Sequence, residues 1–479
     1  MSPEIDPATG PAGRLARGSD EPLTAQLAQR YAERIGQKLL APGTRLPSVR
    51  DCARRHGVSP STVVGAYDLL LAQGLVEARP QRGFYVRAAS TPPRAAAPVA
   101  AAPASLQPRP VDATALIRGM FQVRGGKSSP GMGTLPEDWL DAAMLQRALR
   151  RVAGESGTDW LRYGHPEGDE SLRRALVQRL ADLGIEAGAA QIVTTIGATQ
   201  ALDVISRTLL QPGDAVLVDE PGWAVEYARL TRAGMRLLPV PRGPVGPDLD
   251  VLAQLLERHA PRLYVTVSVL HNPTGYSLSP AVAHQVLRLA ERHDLTIVED
   301  DTYSWFAPAH ATRLAQLDGL QRTVLVSGFS KILAPQWRVG WLAAPARLVE
   351  RFVDTKLLST LTTAAPLERA LAACLEQGAL RRHADRVVDR LDAARARTQR
   401  LVREAGFRFA TPPAGLFGWV DVGADTARLV QPLLDDGWLI APGTLFHAAP
   451  RPSTLMRINF ATAQDARFWR TVKALASRT

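Results

Sequence analysis

Hydrophobic residues follow two different periodicities along the chain. Between residues 22 and 72 they recur at intervals of three and four, which predicts three short amphipathic helices. After about residue 190, short runs rich in Val, Ile and Leu alternate with helical stretches, a pattern typical of a largely parallel sheet. At 479 residues the chain is long for one domain. We therefore expect a small helical head and a large two-part α/β body.

The three N-terminal helices have recognisable start and stop signals. The first covers residues 22–40 and stops before a Pro-Gly pair. The second covers residues 49–56, with Ser48 as its N-terminal cap. A short turn at Gly57 leads to the third, residues 60–72, which begins with a proline at a permitted first-turn position. Two helices joined by a short glycine turn form a helix-turn-helix, whose second helix enters the major groove of DNA.

A short hairpin is predicted after the third helix. Two apolar runs, Leu75–Ala78 and Gly83–Val86, are joined by Arg79–Arg82, which predicts a wing with arginines at its tip. Residues 22–90 carry ten Lys and Arg against four Asp and Glu, an excess that suits neutralisation of DNA phosphates. The alternative is a three-helix domain with a solvated basic face. The turn and the hairpin favour the DNA-binding interpretation.

Polar and aromatic residues follow the ends of the predicted strands in the body. Parallel strands have their carboxyl ends at one edge of the sheet, where open α/β sheets bind ligands. A glycine-led helix after residues 192–196, predicted at 201–210, would offer its N-terminus to a phosphate. The other strand-end residues are Trp223, Asn272, Asp300 and Tyr303. We expect these side chains to meet at one site.

One lysine stands at the end of such a strand. Lys331 follows the apolar run 323–326, and only five of the 57 basic residues are lysines. Arginine keeps its proton in proteins, whereas a lysine in apolar surroundings can lose it, as a Schiff base with an aldehyde cofactor requires. Seven residues later, Arg338 offers a fixed cation for a phosphate. Each feature alone has an ordinary structural explanation. Their combination in this order points to a phosphate-bearing aldehyde cofactor.

The order and types of these residues resemble fold-type I pyridoxal-phosphate aminotransferases, in particular the kynurenine and α-aminoadipate aminotransferase-like branch, over residues 120–475. The resemblance implies a large domain with a mostly parallel sheet, a smaller α+β C-terminal subdomain, and pyridoxal 5'-phosphate as cofactor. Lys331 would be the catalytic lysine that binds the cofactor, and Asp300 the partner of its pyridine nitrogen. The other implied cofactor-binding residues are Ala198, Thr199, Trp223, Asn272, Tyr303, Ser330, Arg338 and, commonly from the partner subunit, Tyr163. Arg457 would bind the substrate α-carboxylate.

Three positions depart from the pattern of those aminotransferases. Ala198 and Gly328 stand where Ser is usual, so two hydroxyl contacts to the phosphate are absent, and Ser327 is a candidate replacement for one of them. Each lost neutral hydrogen bond costs about 1 kcal/mol. Trp223 replaces the more usual Tyr and keeps a ring for stacking. We expect cofactor binding to be retained with some loss of affinity.

The N-terminal block resembles the GntR-type winged helix at residues 45–50, 57–63 and 77–86. Pro60 stands where some members of that family carry Arg, which puts one base contact in doubt. A GntR-type head on an aminotransferase-like body resembles the MocR/GabR class of transcriptional regulators. The resemblance implies DNA contacts from Arg45, Arg50, Ser59, Ser61, Thr62 and, in the wing near the minor groove, Arg82 and Gly83.

Composition sets the expected domain boundaries. The first segment is rich in Gly and Pro, and the segment after the wing is rich in Pro and Ala, so the latter should be semi-extended. The predicted domains are a disordered leader at 1–21, a winged helix-turn-helix at 22–87, a linker at 88–110, and an aminotransferase-like domain at 111–479 with a large part at about 150–350 and a small part at about 351–479.

Several functional classes are not indicated by the sequence. Cys52 and Cys374 lie in different predicted domains and the nine histidines show no ligand spacing, so neither a disulfide nor a metal site is predicted. No apolar run approaches the roughly 20 residues of a membrane span, and the N-terminus lacks a signal-peptide core. We expect a cytoplasmic, reduced setting. The net charge of +11 decides little, because the whole chain is rich in arginine.

Taken together, these features predict a homodimeric, pyridoxal-phosphate-dependent transcriptional regulator. The head would bind double-stranded operator DNA. The body would sense an amino compound, or pyridoxal phosphate itself, through aldimine exchange at Lys331. The alternative is an active aminotransferase, working on an amino acid and a 2-oxo acid, with an appended DNA-binding domain. The effector, the operator sequence and the sign of regulation stay open.

Overall fold

The computed structural model describes residues 21–36, 42–79, 82–87, 129–155 and 161–478, together with positions 15, 40 and 114. The predicted linker and residues 80 and 81 of the wing lie outside the described residues, as does the predicted leader apart from Leu15 and Glu21. Leu15 packs in the hydrophobic core of the head.

Three helices and a hairpin form the head. They are α1 (Leu23–Gly36), α2 (Val49–His56), α3 (Pro60–Ala72), β1 (Val76–Arg79) and β2 (Gly83–Val86). Their apolar faces meet in one core that contains Leu27, Tyr31, Val63 and Tyr67. The three predicted helices are confirmed, although the first ends at Gly36 and residues 37–39 are not described.

Local capping chemistry explains where the head helices begin and end. The Ser48 hydroxyl accepts a hydrogen bond from the Asp51 backbone N–H (3.2 Å), and the Ser59 hydroxyl accepts one from Thr62 (3.1 Å). Gly57 ends α2 with a φ of 64°, a conformation that favours glycine. The tight turn between α2 and α3 therefore follows directly from these three residue types.

Eight strands form the large sheet of the body. They are β3 (Ile192–Thr195), β4 (Ala215–Glu220), β5 (Arg236–Gly243), β6 (Gly246–Pro247), β7 (Leu263–Thr266), β8 (Thr296–Asp300), β9 (Thr323–Gly328) and β10 (Gly340–Ala343). Their order is β3-β10-β9-β8-β7-β4-β5-β6. The central strands β9, β8, β7, β4 and β5 run parallel, and β10 is antiparallel to both β3 and β9. The carboxyl ends of β3, β4, β7, β8 and β9 consequently share one edge of the sheet.

Helices cover both faces of this sheet. Alternate residues of β4 enter different cores: Val216 and Val218 join one, and Ala215 and Leu217 join the other. Burial on both faces is typical of parallel sheets. The helices are α4 (Ala142–Glu155), α5 (Glu170–Asp182), α6 (Ala198–Leu209), α7 (Ala224–Arg232), α8 (Leu249–His259), α9 (Pro280–Arg292), α10 (Leu314–Asp318), α11 (Ala346–Thr360), α12 (Ala365–Glu376) and α13 (Ala379–Glu404). Short 3₁₀ turns lie at Glu137–Trp139, Ala189–Gln191, Ser304–Phe306, Pro335–Trp337 and Gly443–Phe446.

A smaller antiparallel sheet builds the C-terminal lobe, residues 408–478. Its elements are β11 (Arg408–Phe409), β12 (Phe417–Asp421), α14 (Thr426–Asp435), β13 (Ala441–Pro442), β14 (Leu455–Asn459) and α15 (Ala466–Ala476), with strand order β11-β12-β14-β13. The predicted α/β architecture with a winged helix-turn-helix is confirmed. Among the described residues, no helix is long and apolar enough to cross a membrane.

Candidate cofactor site and DNA-binding face

A cavity opens at the edge where the parallel strands of the large sheet end. Nine of the ten predicted cofactor-binding residues line it, and they come from five different strand ends. The sheet topology is what brings them together. The lining residues are Ala198, Thr199, Trp223, Val267, Asn272, Asp300, Thr302, Tyr303, Gly328, Ser330, Lys331 and Arg338.

Lys331 lies in the loop that follows β9 and presents its amine to this cavity. Burial, helped by the Arg457 and Arg338 guanidinium groups and opposed by Asp300, lowers the pKa of Lys331 to about 8. A substantial fraction of the amine is therefore neutral near pH 8, and only the neutral amine is a nucleophile. A Cβ on Gly133 would lie 3.4 Å from the Lys331 Nζ, so glycine there leaves room around the amine.

Asp300 ends β8 and is held by the residue two positions further on. The Thr302 backbone N–H donates to Asp300 Oδ1 (3.0 Å), and the Thr302 hydroxyl donates to the same oxygen. The pKa of Asp300 is raised to about 6, because burial raises it by more than the two hydrogen bonds from Thr302 lower it. The carboxylate is therefore mostly ionised at neutral pH. An ionised carboxylate is what keeps a pyridine nitrogen protonated.

A cationic cradle forms where α6 begins. Gly197 precedes the helix with a φ of 80°, and a Cβ there would lie 2.6 Å from Arg338 Nη2. The Arg338 guanidinium donates to the Ile196 carbonyl (3.0 Å) and to the Ser330 hydroxyl (3.2 Å). A helix N-terminus combined with an arginine and a hydroxyl suits a phosphate. Because α6 begins at Ala198, three residues earlier than predicted, Ala198 and Thr199 belong to its first turn.

The prediction that Ser327 replaces a lost phosphate contact is wrong. Its hydroxyl donates to the Asp301 carbonyl (3.0 Å), and it is buried away from the cavity. Successive residues of a strand point to opposite faces, so Gly328 lines the cavity while Ser327 points away. At this end of the cavity, the lining residues that carry a hydroxyl or a guanidinium group are Thr199, Ser330 and Arg338.

Asn272 and Tyr303 lie together beside the cavity. The Asn272 side-chain amide donates to the Tyr303 hydroxyl (3.3 Å). Burial raises the pKa of Tyr303, so the phenol keeps its proton at neutral pH. Trp223, half-buried at the start of α7, adds an indole ring to the lining. Together they offer polar groups and a flat ring to a bound aromatic ring.

Arg457 of β14 lies next to this cluster and belongs to the C-terminal lobe. Its Nη1 donates to Asn272 Oδ1 (3.2 Å) and its Nη2 to the Gly131 carbonyl (2.6 Å), while its Nε has no partner among the described residues. The guanidinium also lies 4.3 Å from the centroid of the Phe417 ring. A buried guanidinium with a free N–H suits a carboxylate. A ligand held here would touch both parts of the body.

Tyr163 is the one predicted cofactor residue that the single chain does not bring to the cavity. Its side chain is highly exposed, with 83% of its surface accessible. It lies beside a different surface hollow with Thr362 and Thr363. The residues that sequence reasoning missed are Val267 and Thr302. Thr302 could have been noticed, because a hydroxyl two residues after Asp is a common local hydrogen-bond donor, whereas Val267 carries no such signal.

The predicted DNA contacts lie largely at the accessible surface of the head. Ser59 and Ser61 are exposed at the start of α3, with their hydroxyls 2.8 Å apart. The Arg45 side chain reaches the wing, since a Cβ on Gly83 would lie 3.4 Å from the Arg45 Nε. The Arg45 side chain therefore lies beside the wing, and the start of α3 presents its hydroxyl groups at the surface. Six of the seven predicted residues are exposed and Thr62 is half-buried; the exposed ones are Arg45, Arg50, Ser59, Ser61, Arg82 and Gly83.

Two family models match the chain. Residues 130–475 match the family described as aminotransferase class I and II, and residues 23–86 match that described as bacterial regulatory proteins, gntR family. The uncharacterized HTH-type transcriptional regulator YdcR of Escherichia coli is 31% identical over 94% of this chain and 97% of its own. The probable rhizopine catabolism regulatory protein MocR of Rhizobium meliloti is 30% identical over 78% of this chain and 76% of its own.

A solved structure extends the comparison to the fold. The α-aminoadipate aminotransferase LysN of Thermus thermophilus, complexed with N-(5'-phosphopyridoxyl)-L-leucine, superposes with a TM-score of 0.69 at 24% identity, covering 76% of this chain and 96% of LysN. Fold and site together define a gntR-type DNA-binding head joined to a fold-type I aminotransferase body. The chain belongs to the MocR/GabR class of HTH-type transcriptional regulators. Membership of the aminotransferase class I and II family implies the use of pyridoxal phosphate.

Proposed function

We propose that this regulator binds operator DNA through its head and senses an amino compound, or pyridoxal phosphate itself, in the Lys331 cavity. The observation that carries the proposal is the presence, in one chain, of an exposed polar helix-turn-helix surface and a cavity around a buried lysine with a lowered pKa. A protein of this kind acts where the chromosome lies, so we place it in the cytoplasm. The roles of the individual cofactor-binding and DNA-binding residues are part of what we propose.

The residues of the cavity fit pyridoxal phosphate. When bound, that cofactor supplies an aldehyde that reacts with amines and a pyridine ring that withdraws electrons. Lys331 supplies the nucleophilic amine, and Asp300 holds a proton on the ring nitrogen. Arg338 and the first turn of α6 bind the phosphate. Arg457 selects amino ligands that carry a carboxylate.

A homodimer is supported by an apolar surface on the body. Leu358 is 92% exposed and Leu161 is 84% exposed, next to the exposed Tyr163. The loop of Tyr163 touches the segment after α11, because a Cβ on Gly164 would lie 3.5 Å from the Thr363 carbonyl. Exposed apolar patches of this kind usually mark an interface. We propose that a second copy covers this patch and that Tyr163 reaches the partner's cavity.

Two heads on one dimer would bind two half-sites of a duplex. Contacts from Arg45, Arg50 and Arg82 to phosphates would make affinity fall steeply with salt, with a log-log slope of about −0.9 per neutralised phosphate. The test is to select a duplex from a random pool with the full chain, then measure affinity against salt. Removing residues 1–90 should eliminate selective binding and leave the visible cofactor band. Equal affinity of the truncated and full-length chains for the selected duplex would refute the proposal.

An active aminotransferase is the second candidate. The lysine, the carboxylate and the carboxylate-binding arginine are all present at the cavity, at Lys331, Asp300 and beside it at Arg457. Any turnover should be slow if sensing is the main role. Incubation of the holoprotein with an amino acid and a 2-oxo acid, followed by quantification of the new amino acid, separates the two. Rapid multiple turnover would favour the enzyme.

A further inference from the structure

A buried carboxylate of the C-terminal lobe joins the head to the body. Asp435, the last residue of α14, forms ion pairs with Arg34 of α1 and Arg55 of α2. The Arg55 Nη1 lies 3.3 Å from Asp435 Oδ2, and Arg34 also donates to the Leu434 carbonyl (3.3 Å). The Asp435 side chain is 4% exposed and that of Arg34 is 12% exposed. We call Arg34, Arg55 and Asp435 the head-to-lobe contact.

This contact differs from an ordinary surface ion pair. Exposed pairs contribute little to stability, whereas a desolvated charge that loses its partner is costly. Both oxygens of Asp435 are paired, because Gln431 of the same helix also donates to its Oδ1 (2.8 Å) and Arg55 donates to its Oδ2. A third head arginine, Arg30, is close enough for Asp435 to counteract the lowering of its pKa by burial. Positive charge on the head thus faces one negative charge on the lobe.

The lobe side of the contact is connected to the ligand-binding arginine. The chain leaves α14 at Asp435 and soon forms β13, in which Ala441 pairs with Arg457 of β14. The Leu439 carbonyl between them accepts a hydrogen bond from the Gly131 N–H (2.8 Å). The Gly131 carbonyl in turn accepts from Arg457 Nη2 (2.6 Å). A carboxylate that draws the Arg457 guanidinium away from Gly131 therefore acts on the segment that follows Asp435.

The head side of the contact leaves the DNA-binding face accessible. Arg50, Ser59 and Ser61 are exposed while Arg34 and Arg55 are paired with Asp435. Arg55 lies in the last turn of α2, the helix that precedes the recognition helix α3. The contact therefore fixes how the head is oriented on the body without covering the residues that would meet DNA.

We propose that the head-to-lobe contact is the coupling element through which occupation of Arg457 by a carboxylate sets the orientation of the head, and hence operator affinity. The proposal rests on the proposed function and adds the route of its regulation. Any ligand effect on the head must be a difference in free energy between two arrangements of the protein. In the head-to-lobe contact, the ion pairs of Asp435 with Arg34 and Arg55 can be formed in one arrangement and broken in the other.

The test compares two stable probes loaded in place of pyridoxal phosphate. N-(5'-phosphopyridoxyl)-L-alanine carries an α-carboxylate for Arg457, and pyridoxamine phosphate carries none. For the unaltered full chain, we expect affinity for a selected duplex to differ about tenfold between the two loaded forms, a coupling of about 1.4 kcal/mol. Asp435→Asn should reduce that ratio to less than twofold while both probes still bind. Asp436→Asn, the same charge change at the exposed neighbouring residue, should keep the ratio.

Two single-arginine variants of the head test the same contact from the head side. Arg55→Gln and Arg54→Gln each remove one positive charge from α2, so the change in the net charge of the head is the same in both. Only Arg55 reaches Asp435, since Arg54 pairs with Asp51 at the head surface. The ratio of duplex affinities between the two loaded forms should fall to less than twofold in Arg55→Gln and stay about tenfold in Arg54→Gln. The coupling is overturned if Asp435→Asn keeps the tenfold difference in duplex affinity between the two loaded forms. It is also overturned if the unaltered chain binds its duplex with equal affinity in both forms. Absence of selective DNA binding overturns the proposed function instead.

Discussion

The two binding regions of this chain are built in opposite ways. The DNA-binding face of the head comes from residues 45–83 and presents exposed hydroxyl and guanidinium groups. The cofactor cavity draws on residues from 198 to 338, with Arg457 beside it, and several of these groups have shifted pKa values. Local sequence determines the DNA-binding face, whereas the topology of the sheet determines the cavity. DNA binding at the head therefore depends on exposed charges in contact with solvent, whereas ligand binding in the cavity depends on buried groups.

This difference has a consequence for salt and pH. Exposed charges are screened by ions within about 8 to 10 Å at physiological ionic strength, whereas enclosed charges are screened much less. We expect salt to act mainly on the head. We expect pH between 5 and 9 to act mainly on the cavity, where the pKa of Asp300 is about 6 and that of Lys331 about 8.

The largest expected effect is at Lys331. Lys331→Ala should abolish covalent attachment of pyridoxal phosphate, because Lys331 is the one lysine among the described residues that lines the cavity. Borohydride reduction followed by peptide mass mapping measures the attachment. Lys356 is an internal control, because burial also lowers its pKa to about 8 but it does not line the cavity. A label on the Lys356 peptide, or a label that survives in Lys331→Ala, would show that a lowered pKa alone directs the reaction.

A smaller effect is expected at the exposed face. Arg50→Ala should lower affinity for the selected duplex by roughly 10- to 100-fold, the range of a charge-assisted hydrogen bond of about 1.5–3 kcal/mol. If Arg50 contacts a phosphate, the salt slope should fall by about 0.9. Arg54→Ala on the same helix is the control, and binding of cofactor should be unchanged in both. Equal losses from Arg50→Ala and Arg54→Ala would mean that only the net charge of the head matters.

The smallest effect concerns Thr302. Thr302→Val removes one of two donors to Asp300 Oδ1, so the pKa of Asp300 should rise above its present value of about 6 by up to about one unit. An ionised Asp300 favours cofactor binding, so affinity should fall as pH decreases through that pKa, and should begin to fall at a higher pH in the variant. Titration of the apoprotein with pyridoxal phosphate between pH 5 and 8 measures this. Thr302→Ser should behave like the unaltered chain; identical profiles for Val and Ser would exclude a role for the hydroxyl.

The sequence predicted the head almost completely because its signals are local. The cap at Ser48 lies where predicted, the Ser59 cap was not predicted, and the first strand of the hairpin is displaced by one residue. In the body, strand ends placed Asp300 and Lys331 correctly at one edge of the sheet. Ser327 was assigned wrongly because the strand was predicted to end at Val326, which left Ser327 in a loop. The structure extends β9 to Gly328, so Ser327 is a strand residue whose side chain points away from the cavity.

Long-range contacts were beyond sequence reasoning. Arg34 and Asp435 are 401 residues apart, and nothing in either local sequence selects the other among the many charged residues of the chain. Gly133 and Val267 carry no chemical signal and acquire their place from the fold alone. Tyr163 remains a prediction, because its expected role requires a second copy of the chain.

One titration tests the central claim that the cavity controls the head. The holoprotein is titrated with each compound of a panel of L-amino acids and primary amines, while absorbance of the cofactor and affinity for the selected duplex are followed in the same samples. The account predicts that a compound which changes the absorbance also changes duplex affinity, with the same midpoint. Rapid transamination of that compound with a 2-oxo acid, at unchanged duplex affinity, would contradict the account and identify the body as an enzyme.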